Sequence, residues 1–251
     1  MKRRSILPLV GSILFVAALA GPAFAGPIIG TETSIQYNSA GPPYQTALIT
    51  LQGEGTVNVY TGPYGLKVPA TDPLVSYWMC FDAFPTVSSS PWNVLVADKD
   101  LARSVFTANS LNPDKVNMIA YLANQWDAAV PTATNRTINL AMWEIMADYN
   151  GISDQGFEKS GLDVSAGSFQ TATTGDVGNY LQRAFDNLNS GVQAVFLLPG
   201  QYLGGSWILD RTATQPFVQP APVPEPGSLL LLGSGLVGLV AWRRRNRRSA
   251  D

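Results

Sequence analysis

Cys80 lies two residues before Asp82 in the run YWMCFDAF, and it is the most reactive side chain in a sequence that contains no histidine. Without imidazole there is no Ser-His-Asp or Cys-His nucleophile system and no histidine zinc site. A lone cysteine also forms no intrachain disulfide. Cys80 therefore reads first as an inert thiol packed in a core. An exposed reactive thiol, or a link from Cys80 to a side-chain amide, are the alternatives. The other groups able to do chemistry are carboxylates. Asp98-x-Asp100 and the loop DYNGISD (148–154) carry hard oxygen ligands at short spacing, but neither has the acidic register and terminal glutamate of a calcium loop. Both read as solvated turns. No metal site and no cofactor is expected, and the scattered acids nominate no pair for glycoside hydrolysis.

The elements that would position these groups follow from pattern. YQTALITL (44–51), TVNVY (56–60), LVSYWMCF (74–81) and WNVLVA (92–97) are β-branched or aromatic runs bounded by turn residues, which predicts an antiparallel sheet. Asn112-Pro113-Asp114 is a helix start, followed by Val116, Ile119, Ala120, Ala123 and Trp126 at helical spacing. A second helix is expected from about Arg136 to Tyr149, with Ile138, Met142, Ile145 and Tyr149 on one face and with Trp143 and Tyr149 in the core. A third runs from Asp176 to Asn189, and AVFLL and SWILD then return as strands. The expected class is α+β: an antiparallel β-rich single domain with an inserted helical subdomain.

Both ends of the chain read differently from the body. Lys2, Arg3 and Arg4, an apolar stretch from Ile6 to Ala20, and Ala23-Phe24-Ala25 have the form of a secretory signal peptide (1–25), cut by signal peptidase between Ala25 and Gly26. At the other end, 227–242 is an uncharged run that would reach roughly 24 Å as a helix, just enough to span a bilayer. Arg243, Arg244, Arg245, Arg247 and Arg248 would stop translocation and leave 243–251 in the cytoplasm. Between the ends, a globular domain is expected over 26–215 and a proline-rich extended spacer over 216–223. The domain carries eight Lys and Arg against sixteen Asp and Glu. This acidic balance argues against a nucleic-acid partner.

The order Pro224-Glu225-Pro226, short apolar run, arginine cluster resembles the PEP-CTERM sorting signal (224–251). That resemblance implies processing by exosortase, transient single-pass anchoring in the inner membrane with the body outside, and a final place at the cell surface or in an extracellular matrix that includes exopolysaccharide. The central segments YWMCFDAF, NMIAYLANQW and INLAMWEIMADYNG also resemble the thioester domains of bacterial surface adhesins. There a strand cysteine near an aspartate joins a glutamine of a Gln-x-Ala-x-Trp-Glu helix. Cys80, Asp82, Ala141, Trp143 and Glu144 match that pattern, whereas Asn139 stands in place of the glutamine. Asparagine is one methylene shorter, and its thioester would be open to attack by the following backbone nitrogen. Gln125 is a second amide off the pattern. The expected function is thus an exported surface or matrix protein with a structural or interaction role, not an enzyme. A covalent adhesin using Cys80 and Asn139, and a polysaccharide hydrolase, are the alternatives.

Overall fold

Strict alternation of buried and exposed residues makes Gln45–Leu51 (β2) a strand, with Ala47, Ile49 and Leu51 turned inward and Thr46 and Leu48 outward. Gly53 and Gly55, both at positive φ, bound the tight turn that returns the chain as Gly55–Thr61 (β3). The computed structural model describes residues 27–38, 45–85, 88–126, 133–151, 153–172, 176–212, 214–222 and 234–235. Residues 27–221 form one compact unit.

Six strands of that unit close into an antiparallel barrel. In chain order they are Glu32–Tyr37 (β1), Pro63–Lys67 (β4), Ser76–Cys80 (β5), Trp92–Asp98 (β6), Ala194–Leu203 (β8) and Phe217–Pro220 (β10). The ring runs β10-β5-β4-β1-β6-β8 and returns to β10, and Ser206–Leu209 (β9) adds to β8 as a hairpin. Phe217 makes the closure: it pairs with Cys80 on one side and with Leu197 on the other. Closure leaves none of these six strands with an open edge over the paired stretch. The second sheet has the order β3-β2-β7, where β7 is Phe169–Thr171.

Among the described residues four α-helices accompany the strands: Lys99–Ala108 (α1), Asp114–Ala123 (α2), Ala133–Asp148 (α3) and Val177–Asp186 (α4). All lie between β6 and β8 in the chain, as the sequence predicts for an insertion. They do not form a subdomain of their own. Helices α1 and α2 pack on barrel strands, and α3 packs on β2, β3 and β7 while touching α2 and α4. Helix α3 is buried on nearly every side from Thr137 to Met146. That explains its weak amphipathicity: a helix with neighbours all round has no wet face to mark with polar residues.

Three expected loops turn out to be structural. Asp98 is the N-cap of α1, where its carboxylate accepts from the Leu101 N–H at 2.8 Å, so Asp98-x-Asp100 opens a helix and is not a solvated turn. Asp148 accepts from the N–H groups of Ser168 and Phe169, each at 2.8 Å, and thereby braces β7 against the end of α3. Phe217–Pro220, expected within a spacer, is the barrel's closing strand. It escapes notice in the sequence because the prolines in and around it suggest an irregular segment, yet Pro220 lies beyond the last residue paired with β5 and has a partner strand on one side only, where a missing N–H is tolerated. The signal peptide (1–25) and the arginine tail lie outside the described residues, as does the apolar span at 227–242 except for Ser234 and Gly235. Among the described residues no helix is long and apolar enough to cross a membrane.

The position of β10 makes a prediction about truncation. A fragment covering 27–221 should unfold in one cooperative transition. One ending at Gln215 loses Phe217 and Val218 from the core, worth roughly 3–6 kcal/mol of apolar burial, and exposes the edges of β5 and β8. Thermal melts of the two fragments check this, and equal midpoints would contradict the role given to β10.

Candidate functional site

Cys80 ends β5 with no exposed surface, and α3 brings Asn139 directly against it. The Asn139 side chain is used on both sides. Its Nδ2 donates to the Cys80 carbonyl at 2.6 Å and lies 3.8 Å from Sγ, while its Oδ1 accepts from the Gly62 N–H at 3.0 Å. Gly62 is the residue between β3 and β4, where the chain leaves the small sheet for the barrel. One helical turn on from Asn139, Trp143 donates its indole N–H to Cys80 Sγ at 3.3 Å. The ring of Trp143 meets Phe169 edge-on with centroids 6.2 Å apart.

This environment makes the sulfur a poor nucleophile. Burial pushes the Cys80 thiol up to about 12, against smaller opposing pulls from hydrogen bonds to Trp143, Asn139 and Tyr64. On the order of one molecule in 10⁵ carries a thiolate at pH 7 with such a value. The residues nominated from sequence are therefore brought together, but inside a packed and hydrogen-bonded core. Gln125, by contrast, is exposed just beyond the end of α2.

Two further charged groups surround this knot, and the sequence reading missed the partners that explain them. Asp82, fully buried, receives Arg211 from the segment after β9, with Nη2 at 2.8 Å and Nε at 2.9 Å from Oδ2, while its Oδ1 accepts from the Phe84 N–H. The pair ties Arg211, a few residues before β10, to the residues just after β5. A buried aspartate without a partner would be costly, so an Asp inside an apolar run signals a distant cation. Lys115 on α2 donates to the Met146 carbonyl at 2.7 Å, near the C-terminal end of α3. Desolvation lowers its pKa to about 8, with Arg211 as a secondary cause.

Glu144 is the most strained carboxylate of the set. It has no exposed surface, its Oε1 accepts from the Asp163 N–H at 2.7 Å, and its Oε2 is buried without a hydrogen-bond partner. Burial, reinforced by Asp148, raises its pKa to about 8. A protonated Glu144 at neutral pH would be the expected state.

Surface concavities offer little convergent chemistry. A cleft of about 660 Å³ at the β8–β9 hairpin is lined by Trp92, Asn93, Gln201, Asp210, Arg211 and Thr214, among others. Its polar groups largely serve the fold: Asp210 accepts from Thr212, Asn93 donates to Glu32, and Arg211 holds Asp82. A second cleft of about 500 Å³ includes Asp148, Glu158 and Asp163. Asp163 is held low by hydrogen bonds from Ser165, and Asp148 is taken up by Ser168 and Phe169. Among the described residues no cluster of acids or cysteine could hold a metal ion.

The C-terminal residues carry a sorting signal. Residues 222–245 match the PEP-CTERM protein-sorting motif. The motif implies export, exosortase as processing partner, and a membrane-associated C-terminal signal. Pro224, Glu225, Pro226 and the five arginines lie outside the described residues, as do Ala23, Ala25 and Gly26 of the expected signal-peptidase site. No curated protein and no solved structure matches the chain. The likeness of the central region to surface thioester domains accordingly rests on the quoted residues alone.

Two predictions come from this geometry. Asn139→Ala leaves the Gly62 N–H and the Cys80 carbonyl without partners in a dry site, and should lower unfolding free energy by about 2–4 kcal/mol in denaturant titrations. A loss below the error of the titration would show that the amide is not structural. The raised Glu144 pKa also has a sign. Between its unfolded value near 4.5 and its folded value of about 8 the native state holds the proton more tightly, so stability from this group is complete below about pH 4.5 and is lost as pH rises toward 8. Lys115 acts in the opposite sense, but only above about pH 8. Glu144→Gln should therefore flatten the stability profile between pH 5 and 8; an unchanged slope would contradict a buried, protonated Glu144.

Proposed function

We propose that the chain is an exported protein, cut by signal peptidase and then by exosortase, whose body is delivered to the cell surface or extracellular matrix and has a structural or interaction role there. The carrying observation is the sorting motif at 222–245, which begins two residues beyond the end of β10. The inner membrane holds the chain only during processing, because 227–242 is short and glycine-interrupted for a lasting anchor. The prolines at the start of the motif disfavour helix and central strand, which suits the backbone of a protease substrate.

A non-catalytic body is supported by the way its reactive side chains are used. Cys80 is buried, and Asn139, Asp82 and Asp148 are bonded to backbone or to a cation of the fold. The adhesin alternative needs a thiolate near an amide that is free to react, which is not the environment of Cys80. The hydrolase alternative needs an acid and a second carboxylate facing one open cleft. In the cleft with several carboxylates, Asp163 is shifted down, the wrong direction for a general acid. Exopolysaccharide remains the natural matrix partner in this reading.

Intact mass of the mature protein tests the proposal. In an exosortase-containing host the mature chain should begin at Gly26 and lack Leu229 to Asp251, and in a host without the enzyme it should retain them. An intact tail on most molecules in the first host would instead make the C-terminal segment a permanent anchor.

A further inference from the structure

We propose that the cleft at the β8–β9 hairpin is a binding site for a neutral saccharide. The proposal deepens the interaction role given above and rests on that reading.

Three stretches of chain converge on this cleft of about 660 Å³. Trp92 and Asn93 come from the start of β6, Gln201 and its register partner Ile208 from the hairpin, and Asp210 and Arg211 from the residues after β9. The volume is within the usual range of small-ligand sites. Strand β10 runs antiparallel to β8 and ends with Pro220 opposite Ala194, where the chain leaves the body. Gln201 stands seven residues farther along β8, roughly 23 Å away. The cleft is thus at the end of β8 remote from that exit.

The fold uses only part of the hydrogen-bonding capacity in this lining. Arg211 directs Nε and Nη2 to Asp82, which orients a guanidinium whose side chain is still 36% exposed. Asn93 donates Nδ2 to Glu32 and is exposed, as is Gln201 on the hairpin. The indole N–H of Trp92, a residue only 9% exposed, has no hydrogen-bond partner among the described residues. Planar amide and guanidinium groups that donate and accept, set beside the apolar surfaces of Trp92 and Ile208, match a sugar ring with hydroxyls at its rim and C–H groups on its faces. Binding of this kind needs no opposed pair of carboxylates, so the cleft's lack of one is no obstacle.

Other ligand classes fit the cleft less well. Its lining holds one acid and one base, Asp210 and Arg211, which leaves it near neutral, and the acidic body would repel an anionic polymer. An extended peptide docks by adding to a strand edge. Asn109 already occupies that edge of β9: its Nδ2 donates to the Trp207 carbonyl at 2.9 Å and its Oδ1 accepts from the Leu209 N–H at 3.0 Å. A lipid tail would require an apolar wall, which Asn93, Gln201 and Arg211 interrupt.

The full chain, made in cells lacking exosortase and kept in a sugar-free detergent, tests this on an array of neutral gluco-, galacto- and manno-oligosaccharides, with uronic-acid oligosaccharides as the charged set. It should bind at least one neutral sugar and none of the charged ones. Asn93→Ala and Gln201→Ala, both at exposed positions, should each weaken that binding about fivefold, as expected for one hydrogen bond. Trp92→Phe, which keeps a ring and removes the N–H, should weaken it to a similar degree. Glu158→Gln, in the second cleft, should leave it unchanged. Binding of no neutral sugar, binding confined to the charged set, a neutral sugar held equally well by the Asn93→Ala and Gln201→Ala chains, or binding lost with Glu158→Gln would each overturn the proposal. Sorting is read separately by intact mass: a chain that binds sugar but is never processed fails only the sorting reading, and one that is processed but binds none fails only this proposal.

Discussion

The side-chain amide of Asn139 is the point at which the pieces of this fold are joined. It is held on a helix with almost no wet surface, and it reaches two backbone groups that no strand ladder satisfies: the Gly62 N–H at the β3–β4 junction and the Cys80 carbonyl at the end of β5. Buried peptide groups without partners cost far more than a hydrogen bond contributes, so this one side chain decides whether the two sheets can meet α3 in a dry core. The Cys80 thiol then occupies the remaining space beneath Trp143. The group most suggestive of chemistry in the sequence is, in the folded chain, part of a structural joint.

From this joint the chain runs outward to its sorting signal. Cys80 is opposite Phe217, and the neighbouring Asp82 holds Arg211 in the segment that delivers β10 to its place. The strand that closes the barrel is also the last element before the PEP-CTERM motif. Removal of the signal at or beyond Pro224 would therefore leave every described element of the body intact. Processing and folding are separated by only a few residues, yet the closing strand is secured on two sides.

Much of the architecture was legible in the sequence. Strands with alternating or β-branched runs, such as Gln45–Leu51 and Trp92–Asp98, and the helix opening at Asn112-Pro113-Asp114 were marked by local chemistry, and Asn112 does accept from the Asp114 N–H. Elements stabilised mainly by distant partners were not. Pro63–Lys67 contains a proline and a glycine and becomes a strand because β1 and β5 flank it. Phe169–Thr171 is three residues long and depends on Asp148. Phe217–Pro220 was hidden among prolines. At the site, position matching brought Cys80, Asp82 and Asn139 into one neighbourhood, but burial, which turns that set from reactive to inert, depends on α3 being enclosed on all sides. Arg211 and Lys115 are separated by over thirty residues from the groups they serve, beyond the reach of any local pattern.

The accessibility of the Cys80 thiol tests this account most directly. Alkylation of the folded chain should proceed no faster than global unfolding, and across a denaturant series the labelled fraction should follow the same midpoint as loss of tertiary structure. Stoichiometric modification within minutes in native buffer would contradict a buried joint. So would a native mass already lower by one ammonia that is restored by Cys80→Ala, since it would show that Cys80 and an amide react rather than pack.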